Sequence, residues 1–318
     1  MENILATNIS AAGDKAAYDT ACKRLLANKI ILAWIMKSCL EEYRESDVNE
    51  IAEKYIEGEP QIAKTAVNPD EEPDYDGEQI RGAKNEDSTI QEGTVTFDIR
   101  FYAVLPKSGE TVGLIINVEA QNDFYPGYPI IKRGIYYCSR MISSQYGVEF
   151  TDTHYEKLKK VYSIWVCADP PKYRQNTITR YVVSEENLIG EVKEKKENYD
   201  LLTAVMICLG DPEDDNYDGI LRLLNVLLSS SKKPEEKKKI LQEDFDIKMT
   251  KELESGVTDV CNLSKGVEEK GIAIGIEQGT LQAIKNLMDT LKMTAEQAMA
   301  ALKVPENEWL KYAGKLNE

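Results

Sequence analysis

Alternating apolar and polar residues predict a β-hairpin in the first half of the chain. From Val95 to Leu105, the odd-numbered positions are apolar and the even-numbered positions are mostly polar, as in a half-buried strand. The next residues, Pro-Lys-Ser-Gly-Glu at 106–110, predict a turn. A second alternating segment, Val112 to Gln121, then predicts the partner strand, with Glu119 and Gln121 on its polar face.

The position of the turn predicts which residues of the hairpin face each other. If the turn centres between Ser108 and Gly109, paired residue numbers sum to 217, and Asp98 lies opposite Glu119. Their Cβ atoms would then be about 4.5–5.5 Å apart. Opposed like charges are unfavourable unless a cation neutralises them, and Mg²⁺ prefers carboxylate oxygens. Two solvent-facing carboxylates on an exposed sheet face are the alternative interpretation.

The rest of the chain is predicted to contain helices and two further strands. Helices are predicted over residues 15–57 and about 130–146, and strands over Val161–Ala168, in the centre of a sheet, and Thr177–Val183. After residue 185 the pattern predicts only helices, over 201–209, 219–228, 234–242, 244–277, 294–302 and 306–312. We therefore divide the chain into a helical N-terminal segment (1–60), an acidic loop (61–93), an α/β core (94–185) and a helical C-terminal region (186–318).

Composition indicates a cytoplasmic protein with free thiols. The 318 residues are enough for a sizeable buried core, and no apolar run approaches the roughly 20 residues that span a bilayer. The six cysteines are scattered without a CxxC pair, and the chain has one histidine, which argues against a structural zinc site. We expect no association with a membrane, and a homodimer is left open.

Charge is unevenly distributed along the chain. The net charge of −16 argues against a protein coated with DNA-binding surface. Residues 41–98 contain 18 acidic and 5 basic residues, whereas residues 129–180 contain 9 basic and 4 acidic residues. The basic stretch includes Lys132, Arg133 and Arg140, which are candidates for phosphate contact because arginine binds phosphate in a bidentate manner. Surface arginines on an amphipathic helix are the alternative.

Three segments carry a resemblance to a known family. The hairpin, TFDIRFYAVLPKSGETVGLIINVEAQND, resembles the Asp…Glu-x-Gln form of the PD-(D/E)XK nuclease core. The next segment, PIIKRGIYYCSRMISSQYG, resembles the helix after that core in the transposase-like members, which include the recombination-promoting nucleases, and KVYSIWVCADPP resembles the next core strand. The resemblance covers about residues 20–270 and is specific over Thr94–Pro171.

The resemblance implies a restriction-endonuclease-like α/β core with a mixed sheet over residues 94–185. The implied activity is that of a metal-dependent endonuclease, associated with transposition or recombination, that hydrolyses DNA phosphodiester bonds with Mg²⁺ or Mn²⁺. Asp98 and Glu119 would be metal ligands, and a backbone carbonyl near Ala120 would complete the set. Gln121 takes the place usually held by lysine; it can orient a water molecule but brings no charge.

Two questions stay open at the level of sequence. The acidic balance and the missing lysine favour an alternative in which the protein kept the nuclease fold and acts as a DNA- or protein-binding regulator with weak or no catalysis. The superfamily also often adds an acidic ligand from an early helix, and the sequence does not choose among the candidates Glu41, Glu42, Glu45, Glu50 and Glu53.

Overall fold

In a computed structural model, the chain folds as an α/β protein around a six-stranded mixed sheet. The structure describes residues 4–62, 86–89, 93–106, 114–121, 124–214 and 216–316. The strands are β1 (Ile56–Ile62), β2 (Glu86–Thr89), β3 (Gly93–Thr96), β4 (Ile99–Ala103), β5 (Leu114–Gln121), β6 (Lys160–Cys167), β7 (Thr177–Val182) and β8 (Leu202–Cys208). The helices are α1 (Ile4–Leu26), α2 (Lys29–Cys39), α3 (Val48–Glu50, continued by a π-helical turn over Ile51–Tyr55), α4 (Ile130–Ser143), α5 (Lys196–Tyr199), α6 (Gly219–Leu228), α7 (Pro234–Glu243), α8 (Lys251–Leu291), α9 (Ala295–Ala301) and α10 (Trp309–Leu316).

The sheet has the strand order β1-β4-β5-β6-β8-β7. Strands β5, β6 and β8 are parallel, and β4 and β7 run antiparallel to their inner neighbours. Helix α4 connects β5 to β6 and packs on one face of the sheet. Because both faces of the central strands are covered, β6 reads as a nearly continuous apolar run, and its predicted central position is confirmed.

The register of the predicted hairpin is confirmed. Ile99 pairs with Val118, and every other pair in the β4–β5 ladder also sums to 217. The single strand predicted from Val95 to Leu105 is wrong, because β3 ends before Phe97 and β4 begins after Asp98. The face of β4 that was expected to meet solvent is also mostly buried, since α4 packs on this side of the sheet. The predicted turn lies at residues 106–110, of which 107–110 fall outside the described residues.

The helix predicted over residues 201–209 is wrong, because this segment forms β8. It is a short apolar run buried between β6 and β7, and periodicity cannot distinguish a buried strand from a buried helix. The β-branched residues Thr203, Val205 and Ile207 favour the strand. The sheet therefore includes β1 and β8 from outside the predicted core at 94–185. The other helices predicted after residue 185 are present as α6 to α10.

The chain separates into two compact units. The first, Ala16–Cys261, contains the sheet, and aromatic rings of α4 and the sheet meet in its core: Tyr137 lies 5.2 Å from Phe97 and 5.4 Å from Trp165 between ring centroids. The second unit combines Met1–Lys15 with Asn262–Glu318, and its described core contains Ile284, Ala298, Met299, Val304 and Tyr312. None of the described helices combines the length and apolar character that crossing a membrane requires.

Candidate active site

Asp98 and Glu119 lie side by side and hold each other in place. The backbone N–H of Asp98 donates to Oε1 of Glu119 at 3.1 Å, and the N–H of Ala120 donates to Oδ2 of Asp98 at 3.0 Å. Each carboxylate therefore accepts a hydrogen bond from the backbone segment that carries the other: Glu119 from Asp98 itself, just before β4, and Asp98 from Ala120 of β5. Both residues are buried, at 5% and 3% exposure, so the alternative of two solvent-facing carboxylates is wrong.

A further buried polar side chain on β5, that of Asn117, lies beside this pair. Asn117 is fully buried two residues before Glu119 and donates from Nδ2 to Oε1 of Glu119 at 2.8 Å. Its Oδ1 atom is also buried and has no hydrogen-bond partner in the described part of the chain. A buried polar atom without a partner is unfavourable, and apolar residues would fill a purely structural core at lower cost. Asn117 and the carboxylate pair therefore indicate a functional site in place of a purely structural core.

Lys23 of α1 brings a positive charge to the carboxylates. Its Nζ atom lies 2.7 Å from Oδ1 of Asp98 and 3.0 Å from Oδ2 of Asp19, one helical turn earlier. Burial disfavours the charged ammonium, but the carboxylates of Asp98 and Asp19 outweigh burial and raise the pKa of Lys23. Lys23 is therefore a buried, charged lysine beside the predicted metal ligand, and the sequence interpretation missed it.

The two carboxylates do not share the charge equally. Burial raises the pKa of Asp98, while the ammonium of Lys23 opposes this effect. Burial and the neighbouring charge of Asp98 raise the pKa of Glu119 well above its usual range, against the opposing charges of Arg133 and Lys23. Without a further cation, Glu119 is thus the member of the pair that holds a proton most readily.

The remaining predicted residues of the hairpin lie at the end of β5. Gln121 is the last residue of the strand, half-buried, and two positions beyond Glu119, so both side chains start from the same face. The N–H of Ala120 binds Asp98, and the role predicted for a carbonyl near Ala120 stays a prediction.

Helix α4 places one of its basic residues towards the carboxylates. Arg133 donates from Nε and Nη2 to the hydroxyl of Tyr137 at 3.0 and 2.6 Å, and its guanidinium lies 5.3 Å from the ring centre of Trp165. The charge of Glu119 contributes to the raised pKa of Arg133, although burial opposes this shift. Arg133 therefore lies within electrostatic range of the site.

The other two basic candidates lie differently. Lys132 is exposed on α4. Arg140 is 2% exposed and donates from Nη1 to the hydroxyl of Tyr136 at 3.1 Å. A buried guanidinium is not placed to contact a phosphate, so the structure does not fit the prediction for Arg140. The helical spacing predicts that Arg133 and Arg140 share a face of α4, but spacing does not show which side chains are buried.

The early glutamates that were candidates for an additional ligand have other positions. Glu41 pairs with Arg180 and Lys196, and Glu42 with Lys160 and Tyr162. Glu50 pairs with Lys54, and Glu45 and Glu53 are exposed. The early acidic residue that faces the site is Asp19, whose charge contributes to the raised pKa of Asp98.

The carboxylate pair fits a hard divalent cation by its donor chemistry. Mg²⁺ is commonly held by one or two carboxylates together with water and substrate phosphate. Asp98 and Glu119 supply two such groups, and a bound cation would favour the ionised form of Glu119 against the burial and the charge of Asp98 that raise its pKa. The described residues contain no group of three or more His, Cys, Asp or Glu side chains arranged to hold a metal, so substrate and water oxygens would have to complete the coordination.

Comparisons with models of protein families, with curated proteins and with solved structures find no match to this chain.

Proposed function

We propose that this protein is a metal-dependent endonuclease that hydrolyses DNA phosphodiester bonds. The observation that carries the proposal is the buried pair of Asp98, just before β4, and Glu119 of β5, which are held together by reciprocal backbone hydrogen bonds. Burying two neighbouring carboxylates is costly, and such groups cluster at sites of function. The resemblance of the hairpin, α4 and β6 to the PD-(D/E)XK nucleases gives the pair its chemistry.

The topology around the pair supports this proposal. The two carboxylates lie on an antiparallel hairpin whose second strand leads through α4 into the parallel strand β6. A mixed sheet with a helical crossover at this point agrees with a restriction-endonuclease-like core. On the resemblance alone, we extend the proposal to a role in transposition or recombination of DNA.

Each residue of the site has a distinct task in the proposed reaction. Asp98 and Glu119 would hold Mg²⁺ or Mn²⁺, which stabilises negative charge on a phosphate and makes water a better nucleophile. Gln121 accepts a hydrogen bond from the attacking water and orients it. Lys23 supplies the fixed positive charge that glutamine lacks, because its ammonium lies against Asp98. Arg133 offers guanidinium N–H groups to a phosphate oxygen.

One observation favours the second candidate, a nuclease-fold protein that binds DNA or protein without efficient catalysis. The ammonium of Lys23 already neutralises Asp98 when no metal is bound. A metal ion must therefore displace Lys23 from Asp98 or bind Asp98 together with it. Either requirement lowers the affinity of the metal for the site. A regulatory protein would retain the ion pair as a structural element.

A plasmid-cleavage assay separates the two candidates. Supercoiled DNA is incubated with the protein in Mg²⁺ or Mn²⁺, with chelator as the control, and with the Glu119→Gln variant, which keeps the shape of the side chain. Nicking that requires metal and is lost in the variant supports the nuclease. Cleavage by the variant at the wild-type rate contradicts the site assignment. Binding of DNA by the wild-type protein without cleavage in either metal supports the regulator.

A further inference from the structure

An aromatic cavity opens at the edge of the sheet where β6 and β8 end. Its volume is about 390 Å³, which falls within the range of small-molecule sites. Twelve described residues line it, and most are aromatic or aliphatic. The aromatic ones are Phe124, Tyr125, Tyr128, Tyr173 and Tyr181.

Three tyrosines of this cavity expose large parts of their rings. Tyr173 is 74% exposed, Tyr125 is 64% exposed and Tyr128 is 44% exposed. The hydroxyls of Tyr125 and Tyr173 lie 3.4 Å apart, so the two segments that carry them meet at the cavity. Large contiguous patches of exposed apolar surface commonly mark interaction sites.

Arg174 gives the cavity a positive charge. It is the one charged side chain among the described lining residues, in a chain with a net charge of −16. Its guanidinium lies 5.7 Å from the ring centre of Tyr173 and 5.9 Å from that of Phe124. Its Nε atom is buried and has no hydrogen-bond partner within the described residues. The cavity therefore combines stacking surfaces with a positive charge and suits an aromatic, anionic ligand.

The cavity lies close to the carboxylate pair. Gln121, at the end of β5, is in register with Cys167 of β6, which is in register with Cys208 of β8. Cys208 lines the cavity. Neighbouring strands are about 4.7–4.9 Å apart, so Gln121 and the cavity wall are about 10 Å apart. At the rise of about 3.4 Å per nucleotide of a stacked strand, this distance corresponds to about three nucleotides, and an unstacked strand spans it with fewer.

We propose that the aromatic cavity binds an unpaired base of the DNA strand that reaches the carboxylate pair. This inference rests on the proposed nuclease function and adds the substrate class: DNA with unpaired nucleotides near the cleaved bond. The tyrosine rings stack on the base. Such stacking does not depend on the DNA sequence, because every base has a π-face. The positive charge of the half-buried Arg174 guanidinium attracts the adjoining phosphate. A blunt duplex keeps its bases stacked on each other and cannot fill the cavity.

Affinity for matched DNA ligands tests this inference without cleavage. The probes are a fluorescent blunt duplex and the same duplex with a short single-stranded extension at either end, measured in chelator and again in Ca²⁺. We expect an extension to tighten binding by roughly 5- to 150-fold for each base that stacks. The Tyr125→Ala/Tyr173→Ala double variant should lose this gain. The matching double Phe variant should keep it, because phenylalanine retains the ring.

Tyr146 provides a matched control. It is 62% exposed, but it follows the C-terminal end of α4, whereas the cavity lies at the N-terminal end, about 20 Å away along the helix. Tyr146→Ala should therefore leave the preference for extended DNA unchanged. Equal affinity of the wild-type protein for blunt and extended DNA, or an unchanged preference in the double alanine variant, overturns the inference.

A parallel cleavage assay in Mg²⁺ separates failure of this inference from failure of the nuclease proposal. If binding of extended DNA depends on the two tyrosines but no metal supports cleavage, the base-binding cavity stands and the nuclease proposal fails. If metal supports cleavage of blunt and extended DNA at the same rate, and the double alanine variant cleaves normally, the nuclease stands and the cavity inference fails.

Discussion

The ammonium of Lys23 lies 2.7 Å from Oδ1 of Asp98, and both side chains are almost completely buried. The two residues are separated by the first helices and the acidic segment of the chain, yet they form the electrostatic centre of the site. Whether this cation cooperates with a divalent metal or replaces it decides between a nuclease and a regulator. Both interpretations can be tested by substituting Lys23.

We expect Lys23→Met to destabilise the protein by about 3–5 kcal/mol at neutral pH, because removing one partner of a buried ion pair leaves the other charge uncompensated. The variant should also gain more from divalent metal than the wild-type protein does, since the carboxylates then lack their ammonium. Chemical denaturation with and without Ca²⁺ measures both effects. An equal gain in the wild-type protein and the variant would show that Ca²⁺ does not bind at Asp98.

Lys232 is the matched control for this substitution. Its side chain is 8% exposed and pairs with Glu213 and with Glu236 in the first turn of α7, so it resembles Lys23 in burial and pairing. Because its partners are largely exposed, Lys232→Met should cost less than Lys23→Met. Ca²⁺ should stabilise Lys232→Met by the same amount as the wild-type protein.

Glu119→Gln should abolish metal-dependent stabilisation while preserving the fold. Glutamine retains an oxygen that accepts from the N–H of Asp98 and from Asn117, whereas alanine would leave both donors unsatisfied. For the wild-type protein, metal at about 100 times its Kd adds roughly 2.7 kcal/mol to the free energy of unfolding. Thermal melting across a Mn²⁺ series measures the difference. A full Mn²⁺ response in the variant would remove Glu119 from the ligand set.

Stability should depend on pH through Glu119. Its pKa is raised in the folded state, so the folded protein binds its proton more tightly than the unfolded chain does. The resulting stabilisation is fully present below the usual pKa of about 4.5 and is lost as pH rises through the folded-state pKa. The difference in unfolding free energy between wild-type protein and Glu119→Gln should therefore shrink or reverse across this window. A difference that is constant with pH contradicts a raised pKa.

Metal binding should release a proton from the same residue. A carboxylate must be deprotonated to bind a metal, so the affinity for Mn²⁺ should rise with pH until Glu119 is ionised. Calorimetric titration in two buffers with different ionisation enthalpies counts the protons released, and we expect up to about one per metal. An affinity for Mn²⁺ that does not change with pH would place the metal elsewhere.

Arg133→Ala should weaken DNA binding and reduce its dependence on salt. The slope of log affinity against log salt concentration should fall by about 0.9 for each phosphate of duplex DNA that the variant no longer neutralises. Arg222 of α6 is the control. It belongs to the same unit, is partly exposed and forms an ion pair with Asp244, the residue after α7. Binding across a salt series in Ca²⁺ measures both variants. An identical slope in Arg133→Ala and wild-type protein would exclude a phosphate contact at this position.

The sequence predicted the local geometry of the site well. Alternation and the position of the turn were enough to predict the register of the β4–β5 ladder, because the register of a hairpin follows from its turn and from the period of two in a strand. Asp98 lies one residue beyond the last pair of this ladder, Ile99 with Val118, and its N–H binds the side chain of Glu119. The break between β3 and β4 was missed, since alternation continues through Phe97 and Asp98 although the hydrogen-bond ladder does not.

Tertiary relationships could not be predicted in the same way. The spacing of Asp19 and Lys23 indicates a helical ion pair, but nothing in the sequence directs that pair to Asp98. The burial of Arg140 depends on how α4 packs against the sheet. The strand β8 was mistaken for a helix, because an apolar run of seven residues has no period once both of its faces are buried.

The position of β8, the last strand in the chain but an inner strand of the sheet, limits how the chain can be shortened. β8 lies between β6 and β7, although β7 precedes it in the chain. A fragment ending at residue 185 would contain every predicted catalytic residue, yet it would leave the apolar strand β6 with an unpaired edge and β7 without its neighbour. Unpaired edges of this kind recruit other chains, so such a fragment should aggregate. A fragment that keeps the central strands paired must therefore continue past Cys208.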